Sequence, residues 1–383
     1  MNAMTRRAAM LLAAAPALRA RKPPLFQSTD LFHRGEGGVH TYRIPSLVET
    51  RKGTLLAVVD ARHDSASDLP ARISLVARRS RDLGRTWSPA VTVRKVEQGG
   101  VGDPSLLVDR SSGRIWCFHA YGPPGIGFGT AHAGARTGPH TFQWHAMHSD
   151  DDGITWSEPQ DLTPQVKELE WQAMFATSGM QIQTSFTSAN PGRYLVPMVV
   201  RHADGVVASR NAYSDDRGRT WKIGAAIGAA TDESHNVELA GGVILQNMRN
   251  GKTRAIARST DGGVTFSPVT HDEALIDPTC NAGITRWHRQ GRDLLIFTNA
   301  ASARRERLSV KISADEGRTW TAGRALHPGP AAYSTVVALG DGSLAVLYEC
   351  GESSPYERIT FARFRLEWAA EREDANKNAV GYN

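Results

Sequence analysis

Short apolar runs separated by polar, glycine-containing turns recur along this chain. Arg72-Ile-Ser-Leu-Val-Ala-Arg78, Arg193-Tyr-Leu-Val-Pro-Met-Val-Val200, Leu294-Leu-Ile-Phe297, Arg307-Leu-Ser-Val-Lys-Ile312 and Leu344-Ala-Val-Leu-Tyr348 are of this kind. Their length, their β-branched content and the turn residues that bound them predict β-strands. Helical periodicity is confined to two stretches, 165–174 and 366–376, the second mostly polar. The pattern predicts an all-β protein.

One eight-residue motif follows these runs five times: Ser80-Arg-Asp-Leu-Gly-Arg-Thr-Trp87, Ser149-Asp-Asp-Asp-Gly-Ile-Thr-Trp156, Ser214-Asp-Asp-Arg-Gly-Arg-Thr-Trp221, Ser259-Thr-Asp-Gly-Gly-Val-Thr-Phe266 and Ser313-Ala-Asp-Glu-Gly-Arg-Thr-Trp320. Each copy reads as a hairpin turn. The Asp accepts local backbone N–H bonds, the Gly takes a positive φ and the aromatic packs beneath. The motif is the Asp box, which occurs in sialidases and in unrelated propellers, so it speaks for architecture and its carboxylates are not read as catalytic. Intervals of 45 to 69 residues between copies suit a β-propeller with loops of unequal length and some blades without a box. Six blades fit best. No linker or shift in composition marks a second module, so residues 21–383 are expected to form a single propeller domain.

Lys and Arg number 45 against 39 Asp and Glu. This mild excess suits anionic ligands such as acidic sugars. No dense basic run interleaved with aromatics is present, and the chain is not expected to bind nucleic acid. Met4-Thr5-Arg6-Arg7, the Ala/Leu-rich run that follows and Ala15-Pro16-Ala17 read as a short export signal within residues 1–20, with Thr-Arg-Arg resembling a twin-arginine signal. That run is too short to span a membrane. The expectation is a secreted or periplasmic protein without stable membrane insertion. Cys117, Cys280 and Cys350 are widely spaced and form no metal or redox motif, so they are expected as buried free thiols.

His40-Thr-Tyr-Arg43-Ile-Pro-Ser-Leu47, followed by Gly53-Thr-Leu-Leu-Ala57, is similar to the opening of an exo-α-sialidase. The resemblance continues through Asp277-Pro-Thr-Cys280, Arg305-Glu-Arg-Leu308, Ala332-Tyr333-Ser334 and Leu347-Tyr-Glu349. It implies a carboxylate clamp of three arginines, carried here by Arg43, by Arg249 in Asn247-Met-Arg-Asn250, and by Arg305, with Arg304 and Arg307 as neighbouring alternatives. Guanidinium forks suit the carboxylate on the anomeric carbon of a sialic acid.

That carboxylate repels an anionic nucleophile, which favours a neutral phenol deprotonated during attack. The resemblance selects Tyr333. An ordinary phenol has a pKa near 10, so a carboxylate must take its proton. The resemblance selects Glu233 in Asp232-Glu-Ser-His-Asn-Val-Glu238, with Glu238 as the alternative. The acid/base carboxyl is expected from the loop Ala61-Arg62-His-Asp64-Ser-Ala-Ser-Asp68, where Asp68 is favoured and Asp64 competes. Glu349 matches a glutamate that orients the first clamp arginine. Arg62 is expected to contact the glycone or to support the acid/base loop.

The resemblance therefore implies retaining hydrolysis of terminal α-ketosidically linked sialic acids from sialylated glycans, glycoproteins or glycolipids, with no metal or organic cofactor. Val101-Gly-Asp-Pro-Ser105 and Thr177-Ser-Gly-Met-Gln-Ile182 match the family only loosely, which leaves open another 2-keto sugar acid as the glycone. A noncatalytic glycan-binding propeller is the alternative of a different class.

Overall fold

The computed structural model describes residues 26–185 and 190–371. The export-signal reading of residues 1–20 lies outside the described residues. Within them the chain is almost wholly β-strand, organised as five antiparallel-rich sheets. Thr41–Glu49, Leu55–Arg62, Ile73–Ser80 and Val91–Arg94 pair in sequence order, and Ser234–Glu238, Ile244–Met248, Lys252–Ser259 and Thr270–Asp277 form a second meander of the same kind. Between them lie two five-stranded sheets built around Gly100–Val108 and Tyr194–His202. The last sheet has seven strands. Its long strand Arg324–Ala338 pairs through its first half with Glu306–Ser313 and through its second half with Leu344–Cys350. Phe26–His33 completes that sheet beside Arg358–Phe364, joining the two ends of the described chain.

Sheets stack face to face through apolar side chains. Val48, Leu56 and Val58 of the first sheet pack on Leu106, Ile115 and Cys117 of the next, and Leu47, Leu55 and Ala57 pack on Ala345, Leu347 and Phe361 of the seven-stranded sheet. Strands buried on both faces explain why several runs are continuously apolar instead of alternating.

The five Asp boxes share one geometry. In the first, Ser80 Oγ donates to Asp82 Oδ1 at 2.8 Å, Thr86 N–H donates to the same oxygen at 2.9 Å and Thr86 Oγ1 donates to Asp82 Oδ2 at 2.7 Å. The box glycines all have positive φ, from 75° to 89°. They are also close-packed: a Cβ on Gly218 would lie 2.8 Å from the Trp116 ring, and one on Gly263 would lie 2.7 Å from Leu195. Glycine is needed here both for its conformation and for the approach of the adjoining sheet.

The expected helix at 165–174 is only Thr163–Val166, and Trp171–Ala176 is a strand paired with Tyr194–His202. Trp171, Ala173, Met174 and Ala176 are buried there, so tertiary packing overrides the local periodicity. The second expected helix is Leu366–Ala370 among the described residues. Cys117, Cys280 and Cys350 are free and buried.

Candidate active site

Arg43 lies in the strand Thr41–Glu49 at a bulge, where the pairing with Leu55–Arg62 slips between Arg43 and Ser46. The next residue, Ile44, has φ 61°, an unfavourable conformation for a β-branched side chain. Glu349 holds this kink. It accepts Arg43 Nε at 3.1 Å and Nη2 at 3.4 Å, Ile44 N–H at 2.9 Å and Tyr333 N–H at 3.2 Å. Burial disfavours the charge on Arg43, but Glu349 and the surrounding acidic groups more than restore it.

Tyr333, in the second half of the strand Arg324–Ala338, donates its hydroxyl hydrogen to Glu233 Oε2 in a short bond. Arg249 Nη1 reaches the same Glu233 oxygen at 2.6 Å and the Tyr333 hydroxyl at 3.0 Å. Burial raises the Glu233 carboxyl above its ordinary value against the opposing effect of Arg249. Burial, and then Glu233, push the Tyr333 phenol well above 10. The Arg43 and Arg305 guanidiniums lie 5.3 and 5.5 Å from the Tyr333 ring centroid. Arg305 donates to the Tyr356 hydroxyl and to the Thr279 carbonyl, each at 2.7 Å, while the Tyr356 ring lies 4.3 Å from the Arg43 guanidinium.

Asp68 stands over this group on the loop between Leu55–Arg62 and Ile73–Ser80. Its Oδ1 is 2.6 Å from Arg62 Nη1 and 3.6 Å from Arg43 Nη1, and its side chain is 80% exposed. Burial of the carboxyl region tends to raise its pKa, but Arg62 and Arg43 outweigh that effect and hold it below the usual carboxylate range. Arg62 is itself buried against Asp60 at 3.1 Å and donates to the Ala66 carbonyl at 2.7 Å, so it braces the loop that carries Asp68.

The neighbouring alternatives fall elsewhere. Asp64 pairs with Arg72 at 2.6 Å at an exposed site, and Arg304 pairs with Glu306 at 3.2 Å with 82% of its side chain exposed. Glu238 accepts the Ser185 N–H at 2.6 Å. Arg307 lines a different cavity, together with Thr321 and Gly323.

Asp68, Glu233, Arg249 and Tyr333 line one cavity of about 190 Å³ with Asp103, Asp232 and an apolar wall that includes Leu69, Phe128, Phe142 and Phe175. A larger cleft of about 580 Å³, around Asp109, Trp116 and Arg217, contains none of the converging residues. Two members of the site were not named as site residues from the sequence, although Asp103 lies in one of the two segments that match the family loosely. Asp103 sits in Gly102-Asp103-Pro104-Ser105, which repeats the x-Pro-Ser of Ile44-Pro45-Ser46: the register slips at the same place and Asp103 has φ 58°. Burial, reinforced by Asp60, Asp68 and Glu233, raises its carboxyl well above the ordinary value. That repeated tripeptide was the available signal. Tyr356 had none, because its loop shows no motif.

The family described as BNR repeat-like domain matches residues 53–346. A sialidase from Micromonospora viridifaciens is 38% identical over 367 residues, covering 90% of this chain and 54% of that protein. A sialidase from Bacteroides fragilis is 32% identical, covering 88% of this chain and 64% of that protein. The chain thus spans less than two thirds of the length of either relative. Among solved structures, Hadza microbial sialidase Hz136 superimposes with a TM-score of 0.82 at 30% identity, covering 89% of this chain and 69% of that one. With its repeats and its all-β propeller fold, this chain belongs to the exo-α-sialidase family with BNR repeats.

Proposed function

We propose that the protein is an exo-α-sialidase that releases terminal sialic acids from sialylated glycans with retention of configuration. The observation that carries this reading is the Tyr333 hydroxyl bonded to Glu233 with Arg249 against both. A binding module has no need of a buried phenol paired to a buried carboxylate.

In this reading Arg43, Arg249 and Arg305 hold the sugar carboxylate. Tyr333 Oη attacks the anomeric carbon, and its proton passes to Glu233 as the C–O bond forms. A phenol raised well above 10 carries almost no standing phenolate, so proton removal must accompany attack. Arg249, already on both partners, offsets the charge that develops between them. Asp68 protonates the leaving oxygen as the glycosidic C–O bond breaks, then takes a proton from water as water displaces Tyr333, whose oxygen recovers its proton from Glu233 as the sugar is freed. Glu349 fixes Arg43, and Arg62 positions the Asp68 loop. The wall formed by Leu69, Phe128, Phe142 and Phe175 suits the methyl of an N-acyl substituent, which favours an N-acylated sialic acid over a sugar acid bearing only hydroxyls.

The same reading takes the five sheets as six blades, because Arg324–Ala338 serves two four-stranded units in succession within the seven-stranded sheet. It takes residues 21–383 as one catalytic unit acting on secreted or surface glycans after export through the signal in residues 1–20.

The experiment is incubation of the purified protein with sialyl, deaminated sialyl and other ulosonic acid glycosides, following the released sugar by proton NMR. Release of the α-anomer of an N-acylated sialic acid as first product supports the proposal. Release of a different ulosonic acid alone reassigns the glycone, and binding without turnover makes the protein a lectin.

A further inference from the structure

The buried ion pair Asp277–Arg254 lies outside the pocket, yet it touches the segments that carry two clamp arginines. Asp277 ends the strand Thr270–Asp277 and is 2% exposed. Its Oδ2 accepts Asn250 N–H at 3.0 Å and Gly251 N–H at 3.4 Å, immediately after Arg249. Its Oδ1 accepts Cys280 N–H at 3.0 Å, immediately after Thr279. Thr279 has φ 59°, and its carbonyl is the acceptor for Arg305 Nη2.

Arg254 repeats the same bridge. Its Nη1 meets Asp277 Oδ2 at 3.3 Å and the Cys280 carbonyl at 2.8 Å, while its Nε donates to Asn247 Oδ1 at 2.7 Å, two residues before Arg249. Both members of the pair therefore bind both segments.

We propose that Asp277 is a positioning residue that sets the guanidiniums of Arg249 and Arg305 together, with Arg254 as its brace. This rests on the reading of those arginines as a carboxylate clamp. Desolvating two charges is costly, and an apolar pair of similar volume would stabilise the fold about as well. What an apolar pair cannot do is accept three backbone N–H groups from two loops through one rigid carboxylate. One of those loops holds a threonine in the left-handed region that relaxes if its anchor is lost.

Asp277→Asn keeps the shape but replaces one acceptor oxygen with a donor. Hydrogen exchange of the whole protein should show the amides of 249–251 and 279–280 losing protection together. Affinity for an unhydrolysed carboxylate ligand, 2,3-didehydro-2-deoxy-N-acetylneuraminic acid, should fall on the order of 10²-fold, the effect of misplacing binding groups by about an ångström. In an Arg43→Lys background the fall should multiply in full. With Arg249→Lys and Arg305→Lys both present it should nearly vanish, because the mutation then has nothing left to misplace. Arg254→Lys, which keeps the charge and loses the fork, should loosen the same two segments and serves if Asp277→Asn does not fold.

Equal losses in all backgrounds, or loosening of only one segment, overturn the proposal. So does unchanged exchange and affinity in Arg254→Lys. If the unmutated protein does not bind the sialic acid analogue, the clamp reading falls, and joint loosening of the two segments still decides whether they are coupled.

Discussion

Glu349 grips Arg43 through two bonds, Nε at 3.1 Å and Nη2 at 3.4 Å, while the same carboxylate accepts the backbone N–H of Tyr333. One buried side chain thereby sets the spacing between a proposed clamp arginine and the proposed nucleophile.

Glu349→Ala takes the buried carboxylate partner from Arg43 Nε and Nη2 and the acceptor from two backbone N–H groups. Removing one partner of such a buried pair should cost about 3–5 kcal/mol, measured as a shift of the denaturant midpoint. Glu349→Gln should lose less stability yet still lower turnover by weakening the hold on Arg43. Arg43→Lys should lower kcat/KM sharply with little change in folding, because lysine keeps the charge and loses the planar fork.

Asp68 and Asp64 are separated by a leaving-group test. A good aryl leaving group hardly needs protonation, so Asp68→Ala should spare aryl sialosides far more than natural glycans. Asp64→Ala should affect neither selectively, since Asp64 is paired to Arg72 outside the cavity. Rate ratios on the two substrate classes for the two variants check this. A selective rescue in Asp64→Ala would move the acid/base role to that residue.

The pH profile follows from the guanidiniums around Asp68. They hold its carboxyl below the usual range, while burial holds the Glu233 carboxyl above it. Turnover needs Asp68 protonated and Glu233 ionised, so kcat/KM should rise with pH up to the low Asp68 value, stay flat, and decline only through the Glu233 value. Replacing the buried pair with Asp60→Asn/Arg62→Gln removes the main lowering charge on Asp68. The rising limb of kcat/KM should then move to higher pH. An unmoved limb would mean that another group controls it.

The Asp boxes make a separate prediction about stability. Hydrogen bonds from the box threonines hold Asp82, Asp151 and Asp315 at about 2, and Asp216 reaches about 2 despite its burial. These values lie below the unfolded carboxylate near 3.9, so the contribution is present above about pH 4 and is lost as pH falls towards 2. Asp82→Asn should lower the thermal midpoint at pH 6, and the gap from the unmutated protein should close as the pH approaches 2. A gap independent of pH would show that the box works by shape alone.

The strands, the boxes and the residues in recognisable motifs were legible because each depends on local chemistry: turn residues at fixed offsets, or a tripeptide such as Arg43-Ile44-Pro45. Tyr356 and the Asp277 anchor were not legible as parts of the site, since their meaning lies in which loops meet across sheets. The choice of Asp68 over Asp64 likewise turns on four residues of loop, and the two are separated by Arg62 and Arg43 beside the first and Arg72 beside the second. The strand at Trp171–Ala176 was hidden by a periodicity that fits a helix equally well. Its pairing with Tyr194–His202 comes from more than twenty residues away.

The central claim is that Tyr333 forms a covalent bond to the sugar. The most direct measurement is the intact mass of the protein after brief treatment with a 3-fluorosialosyl fluoride, which forms the glycosyl-enzyme readily and releases it slowly, followed by peptide mapping. The account predicts one added fluorosialosyl group on the peptide containing Tyr333, absent in Tyr333→Phe. Turnover of the reagent with the label on Glu233 or Asp68, or with no label on Tyr333 at any time, would contradict it.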